Sequence, residues 1–178
     1  MGLIYIQNSS SVDQALSSCC AKMCRAKKSG VTSMKISTRG RYALRMLLHL
    51  AEHKDKGFIA LKDIAEQQGI SKKYLEQIVT LLNHSDMLRT NRGCQGGYML
   101  AKEPEQYTVG QLLRITEGKL CPVSCLEDQP NQCERSDNCK TLPIWEGLAR
   151  LVNEYLDSVT LQTMLDEHRA DTKMCSRT

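Results

Sequence analysis

The segment LKDIAEQQGISKKYLEQIV, residues 61–79, constrains the fold of this chain more than any other. Counted from Leu61 as position one, Ala65 falls fifth and Gly69 ninth, with Ile64, Ile70, Leu75 and Ile78 at positions four, ten, fifteen and eighteen. Apolar residues at these intervals face inward on two helices that cross at a short turn. A small Ala65 allows a close crossing, and Gly69 supplies the backbone freedom that the turn needs. Ser71 is placed to cap the second helix with its side-chain oxygen. The pattern predicts a helix-turn-helix made of LKDIAEQQ and KKYLEQIVTLLNH; a plain helical hairpin inside a bundle core has the same apolar spacing.

The flanking sequence discriminates between these. Upstream, Leu44, Leu47, Leu48 and Ala51 repeat at helical intervals, predicting a first helix that runs from Ser37 and ends near Lys54. Phe58–Leu61 is a short extended lead-in. Downstream, MLRT and YML read as short β segments joined by NRGCQGG, whose glycines permit a tight hairpin. A slim tip carrying Arg92 and Gly93 suits a DNA minor groove, where narrow A·T segments concentrate negative potential. An isolated hairpin of this composition is ordinary solvated surface, but directly behind a helix-turn-helix it completes a winged helix.

In that geometry the first half of the second helix, with Ser71, Lys72, Lys73, Glu76 and Gln77, meets the major groove. The lysines suit phosphates, Glu76 can accept from cytosine N4, and Gln77 can pair with adenine. A pairing of Glu76 with Lys72 one turn earlier is the simpler alternative. Charge agrees with a polyanionic partner, double-stranded DNA. Residues 34–100 hold eleven Lys and Arg against six Asp and Glu, whereas residues 101–178 hold nine against thirteen.

The remainder divides into a connecting helix, a loop and a helical end. Thr108 and Gln111 form a capping-box pattern for YTVGQLLRITEG, which closes on Gly118. Residues 119–140 have no helical period. Thr141–Pro143 opens a long helix in which Trp145, Leu148, Val152, Tyr155 and Val159 repeat at 3-4-3-4 spacing, the seam of a helix pair or of an internal core stripe. Leu151 and Leu156 broaden that stripe toward the rest of the domain. A short last helix, LQTMLDEH, follows Thr160. The expected fold is mainly α with a small β-wing: a winged helix-turn-helix plus a C-terminal dimerisation helix. The expected divisions are a disordered leader (1–33, with Met34 as an alternative start), the DNA-binding domain (34–101), the connecting helix (102–120), the cysteine loop (121–140), the dimerisation helices (141–168) and a tail (169–178).

Nine cysteines are many for 178 residues. The count is odd and MGLIYIQNSS lacks the basic and apolar regions of a secretory signal, so a reducing, cytoplasmic setting is expected. No run reaches the roughly 20 apolar residues of a membrane span. Cys121, Cys125, Cys133 and Cys139 crowd into 19 residues. Thiolates bind iron and zinc, and an irregular loop can fold around either. The spacing is not the paired CxxC of a zinc ribbon. Bare redox-responsive thiols are the third reading. Cys94 and the leader cysteines are expected to be plain surface thiols. The four histidines are scattered, and neither HExxH, a phosphate-cradling GxxxxGK[ST] nor a Ser–His–Asp order is present, so an enzyme is not expected.

Three blocks, MKISTRGRYALRMLLHLA (34–51), LKDIAEQQGISKKYLEQIV (61–79) and RGCQGGYMLA (92–101), resemble the IscR, NsrR and CymR group of bacterial regulators, the Rrf2 family. The likeness spans 34–168 and implies a homodimeric winged-helix DNA-binding protein, in many members with an iron–sulfur cluster before the dimerisation helix. It assigns base reading to Glu76 and Gln77, minor-groove contact to Arg92 and Gly93, and DNA-backbone contact to the region of Lys35, Ser37 and Arg39. Cys133, Cys139 and Trp145 match the spacing of cluster-binding members, whereas the Cys125–Cys133 interval is two residues longer than the common one. The family's fourth ligands, a His or a partner-chain Asp, correspond here to Leu142 and Arg41, which leaves Cys121 as the local substitute. The resemblance thus implies a cytoplasmic transcriptional regulator, a repressor by expectation, whose cluster (2Fe–2S or 4Fe–4S) couples iron–sulfur, redox or nitric-oxide status to operator affinity. The alternatives are a cluster-free regulator of cysteine metabolism, as in one family branch, and a metal-binding interaction module without DNA affinity.

Overall fold

The computed structural model describes residues 35–93, 96–128 and 130–175. The expectations for the leader, Met34 and Cys94 fall outside these residues. The described elements run α1 (Thr38–Glu52), α2 (Leu61–Gln68), α3 (Lys72–His84), β1 (Leu88–Asn91), β2 (Gly97–Leu100), α4 (Val109–Glu117), α5 (Leu142–Ser158) and α6 (Leu161–Cys175). The fold class is as expected, mainly α with a small β-wing.

Each boundary has a local cause. Ser37 caps α1 by accepting from the backbone N–H of Arg39 and Gly40, and α1 gives way to a 3-10 turn at Lys54–Lys56. Gly69 ends α2 in the left-handed conformation (φ 62°), its N–H turned back to the carbonyls of Ala65 and Glu66. A side chain would strain that backbone, so the turn depends on glycine. Ser71 accepts from the Tyr74 N–H at 3.3 Å and starts α3. The Thr108 hydroxyl accepts from Gln111 N–H at 3.1 Å, which is the half of the capping box that fixes α4.

The core is built around α1. Its Ala43, Met46, Leu47 and Leu50 pack with Ile64 of α2, Leu75, Ile78 and Leu82 of α3, and Leu112 of α4. Leu161 and Leu165 of α6 join the same cluster, so the last helix returns to the core built around α1. Truncating a fully buried Leu or Ile of this kind to Ala costs about 2–5 kcal/mol. His49 is the core's buried imidazole; desolvation, and then His53, hold it below the ordinary histidine value.

Two helices differ from the sequence reading. The last one continues to Cys175 instead of stopping at His168, because HRADTK lacks apolar repeats yet contains nothing that breaks a helix. In α5 no residue is buried. Leu156 and Val159 turn inward against Val109, Leu113 and Leu120. Val159, expected in the seam, therefore packs within its own chain. Leu151, expected to turn inward, is 62% exposed, beside Ile144 (64%), Trp145 (36%), Leu148 (38%) and Tyr155 (68%). Val152 is half-buried.

Candidate nucleic-acid interface and cysteine loop

Helix α3 separates its faces cleanly. Leu75, Ile78, Val79 and Leu82 are buried, while Ser71, Lys72, Lys73, Glu76 and Gln77 are exposed. Lys72 Nζ lies 3.9 Å from Glu76 Oε1, a loose pair between side chains more than half exposed. Such a pair contributes little and is easily exchanged for a ligand contact. The simpler alternative for Glu76 is therefore present in the structure without consuming the carboxylate.

The wing lies beside this face. Strands β1 and β2 pair antiparallel from Leu88 opposite Leu100 to Asn91 opposite Gly97. Ile59 extends the ribbon by exchanging two backbone hydrogen bonds with Tyr98, at 3.0 and 2.9 Å. A Cβ on Gly97 would run into the Ile59 backbone, so glycine is required for the lead-in to dock on the wing. Arg92 and Gly93 are exposed at the ribbon's end. Between α3 and the wing runs an open groove of about 570 Å³, lined among others by Lys62, Lys72, Glu76, Asn91 and Arg92. Two cations from α2 and α3 and one from the wing thus face a single polar trough, the arrangement expected to straddle phosphates around a groove.

At the start of α1, Lys35 and Arg39 are exposed but Ser37 is engaged. Its hydroxyl caps the helix and donates to Glu117 Oε1 at 2.6 Å, and Glu117 also accepts from the Gly40 N–H at 3.1 Å. Ser37 thus positions its neighbours, and the carboxylate ending α4 occupies the helix N-terminus that a phosphate would otherwise seek. Sequence reasoning missed Glu117, which lies 77 to 80 residues from the groups it binds.

The cysteine loop connects α4 to α5. Cys121, Cys125, Cys133 and Cys139 are all free and half-buried. The Cys121 thiol donates to the Leu126 carbonyl at 3.3 Å; desolvation, then Glu127, push its pKa up. Cys139 goes the other way, its thiolate favoured by hydrogen bonds from Thr141. Lys119 braces the loop by donating to the Glu127 carbonyl and pairing with Asp128 at 3.2 Å. A single zinc ion would draw its thiolates to about 3.8 Å from one another, given bonds near 2.3 Å in a tetrahedron. Among the described residues no three of these thiols lie within 4.8 Å of one another. A multi-iron cluster sets its ligands farther apart, and a set of four half-buried free thiols in one irregular loop fits that chemistry. Arg41, at the position of the partner-chain ligand, donates to Thr38 Oγ1 at 3.2 Å.

A polar brace joins the helices on either side of the loop. Arg114 of α4 donates to both oxygens of Asp157 on α5 at 2.7 Å and to Asn153 Oδ1 at 2.8 Å. Asn153 in turn donates to the Leu120 carbonyl at 3.3 Å. The second half of α5 is thereby fixed to the domain, while its first half follows directly from the loop.

Comparison with known proteins places this arrangement. The Rrf2 family profile, described as an iron-dependent transcriptional regulator, matches residues 36–167. The HTH-type transcriptional regulator CymR of Bacillus subtilis (strain 168) is 39% identical over 132 residues, covering 74% of this chain and 89% of that protein. A structure of T. potens IscR is 37% identical with a TM-score of 0.62, covering 75% of this chain and 88% of that one. A structure of B. subtilis CymR, titled the global cysteine regulator, gives the same identity and TM-score, covering 75% and 97%. The chain belongs to the Rrf2 family of winged-helix transcriptional regulators.

Proposed function

We propose that the chain acts as a homodimer in the cytoplasm, binding a two-fold DNA operator through α3 and the wing, with an iron–sulfur cluster in its cysteine loop setting operator affinity. One observation carries the coupling: the loop joins two elements that bear on DNA binding. Its near end follows Glu117, which holds the N-terminus of α1 beside Lys35 and Arg39. Its far end, at Thr141, starts α5, whose outward face is apolar. Ordering such a loop changes both junctions at once.

Cys125, Cys133 and Cys139 would hold the cluster, with Cys121 as the local fourth donor. The bound cluster supplies an iron centre that responds to oxidants and nitric oxide. The chain's own residues supply the rest: Lys119 and Thr141 brace the loop, and Arg114 keeps the second half of α5 in place. Cys133→Ala and Cys139→Ala should each abolish cluster colour and shift operator affinity tenfold or more, about 1.4 kcal/mol. Charge-driven binding to unrelated duplexes should be unchanged. If both variants keep wild-type operator affinity, and anaerobically purified protein is colourless and metal-free, the coupling is wrong.

A second reading, a cluster-free regulator of cysteine metabolism, is favoured by the Cys121 thiol, which donates to the Leu126 carbonyl and whose pKa is pushed up by burial. The similarity to CymR supports it too. It predicts that thiol oxidation alters operator affinity in metal-free protein.

A further inference from the structure

The histidines that look scattered in sequence are not all scattered in space. His49, Glu52 and His53 occupy the last turn of α1 at i, i+3 and i+4, which puts them on one face. One ligand atom from each lies within 4.8 Å of the other two. The two imidazole rings stand 4.5 Å apart, tilted by 39°. We propose that His49, Glu52 and His53 form a second metal site, for a borderline divalent transition ion of the zinc class, distinct from the cysteine loop.

Four features support the assignment. His53 Nδ1–H donates to the His49 carbonyl at 2.9 Å, which fixes the tautomer and leaves the Nε2 lone pair available to a metal. Ligating histidines are oriented by such a second hydrogen bond. The burial is graded, with His49 buried, His53 half-buried and Glu52 exposed, so the site is closed on the core side and open to an entering ion and water. A tetrahedral ion with bonds of 2.0–2.1 Å separates its ligand atoms by about 3.3–3.4 Å, so side-chain rotations that bring the atoms closer by at most about 1.5 Å close the set. The partial negative charge at the C-terminal end of α1 favours a cation.

Lys56 lies close enough to His49 to oppose a cation. Affinity therefore rests on ligand type: two imidazoles and one carboxylate select zinc, cobalt, nickel or ferrous iron over calcium and magnesium. The chain leaves this turn through Lys54–Lys56 for Ile59, which pairs with Tyr98 on the wing. A bound ion would pin the point where the core helix hands over to the wing.

The test uses the full chain carrying Cys121→Ser, Cys125→Ser, Cys133→Ser and Cys139→Ser, titrated with Co2+ and then Zn2+ by calorimetry and visible absorption. The expected result is one Co2+ per chain, no thiolate-to-cobalt charge-transfer absorption, and displacement by Zn2+. His53→Ala should weaken binding tenfold or more and Glu52→Gln several-fold, with unchanged circular dichroism. Both side chains reach solvent, so these variants test the site without opening the core. Absence of stoichiometric Co2+ uptake, uptake carrying thiolate absorption, or an affinity in both variants equal to that of the parent chain would each overturn the proposal.

Discussion

Helices α3 and α5 carry similar apolar spacing and meet opposite fates. In α3 the apolar face, Leu75, Ile78, Val79 and Leu82, is buried within the chain, with none above 4% exposure. In α5 no residue is buried, and Ile144, Leu151 and Tyr155 are each more than 60% exposed. The first helix is therefore a finished structural element whose outward residues are free to read a ligand. The second has an apolar face with no partner among the described residues, and burying it against a symmetry-related copy is the simplest way to remove that surface from water. Periodicity reports that a helix has an apolar face; only the surrounding chain decides what covers it.

The largest expected effect comes from breaking the unfinished face. Leu148→Asp sets a charge in the middle of the α5 stripe and, on the dimer reading, should give a monomer by sedimentation equilibrium. Operator affinity should fall a hundredfold or more, about 2.8 kcal/mol. Because Leu148 is exposed in the single chain, thermal stability of the monomer should change little. A wild-type protein that is already monomeric at micromolar concentration would dismiss the dimer.

A smaller effect is expected on the finished helix. Glu76→Ala should cost about 1–3 kcal/mol on the cognate site and relax the preference at one base pair. Losing a carboxylate near phosphates should leave non-specific binding unchanged or tighter. Equal weakening on every duplex would make Glu76 a folding residue and erase the distinction between the two faces of α3.

The smallest effect concerns the brace between α4 and α5. The hydrogen bonds from Arg114 hold the Asp157 carboxyl below its ordinary value. Its contribution to stability is thus complete above about pH 4, the unfolded value, and is lost as pH falls through the lowered folded one. With side chains 40% and 45% exposed, the pair is worth less than about 1 kcal/mol. Asp157→Asn should lower the unfolding midpoint slightly at pH 7, with the difference from wild type vanishing in acid. A difference independent of pH would assign the loss to packing.

How much of this was legible in the sequence follows the range of each interaction. The helix-turn-helix, its Ser71 cap and its Gly69 turn are written within 20 residues, so local spacing alone specifies them. The hairpin and the 119–140 loop were visible as breaks in period. The facing of α5 was only half legible, since 3-4-3-4 spacing placed Val159 in the seam and Leu151 outside it. In the structure Val159 packs with Leu156 against Val109, Leu113 and Leu120, and Leu151 is exposed. Glu117 gave no local signal, as its partners Ser37 and Gly40 lie in a different helix. His49 and His53 were one helical turn apart all along, and only their count, not their spacing, made them look scattered.

The most direct measurement is selection of genomic DNA fragments by the purified full chain, followed by footprinting of the winners. A dimer reading DNA through α3 should select a two-fold symmetric site with half-sites centred about one helical turn apart, roughly 34 Å. Glu76→Ala should relax the same position in both halves. Recovery of fragments with no common sequence, or of a single asymmetric half-site, would contradict a dimer that reads DNA through α3 and its wing.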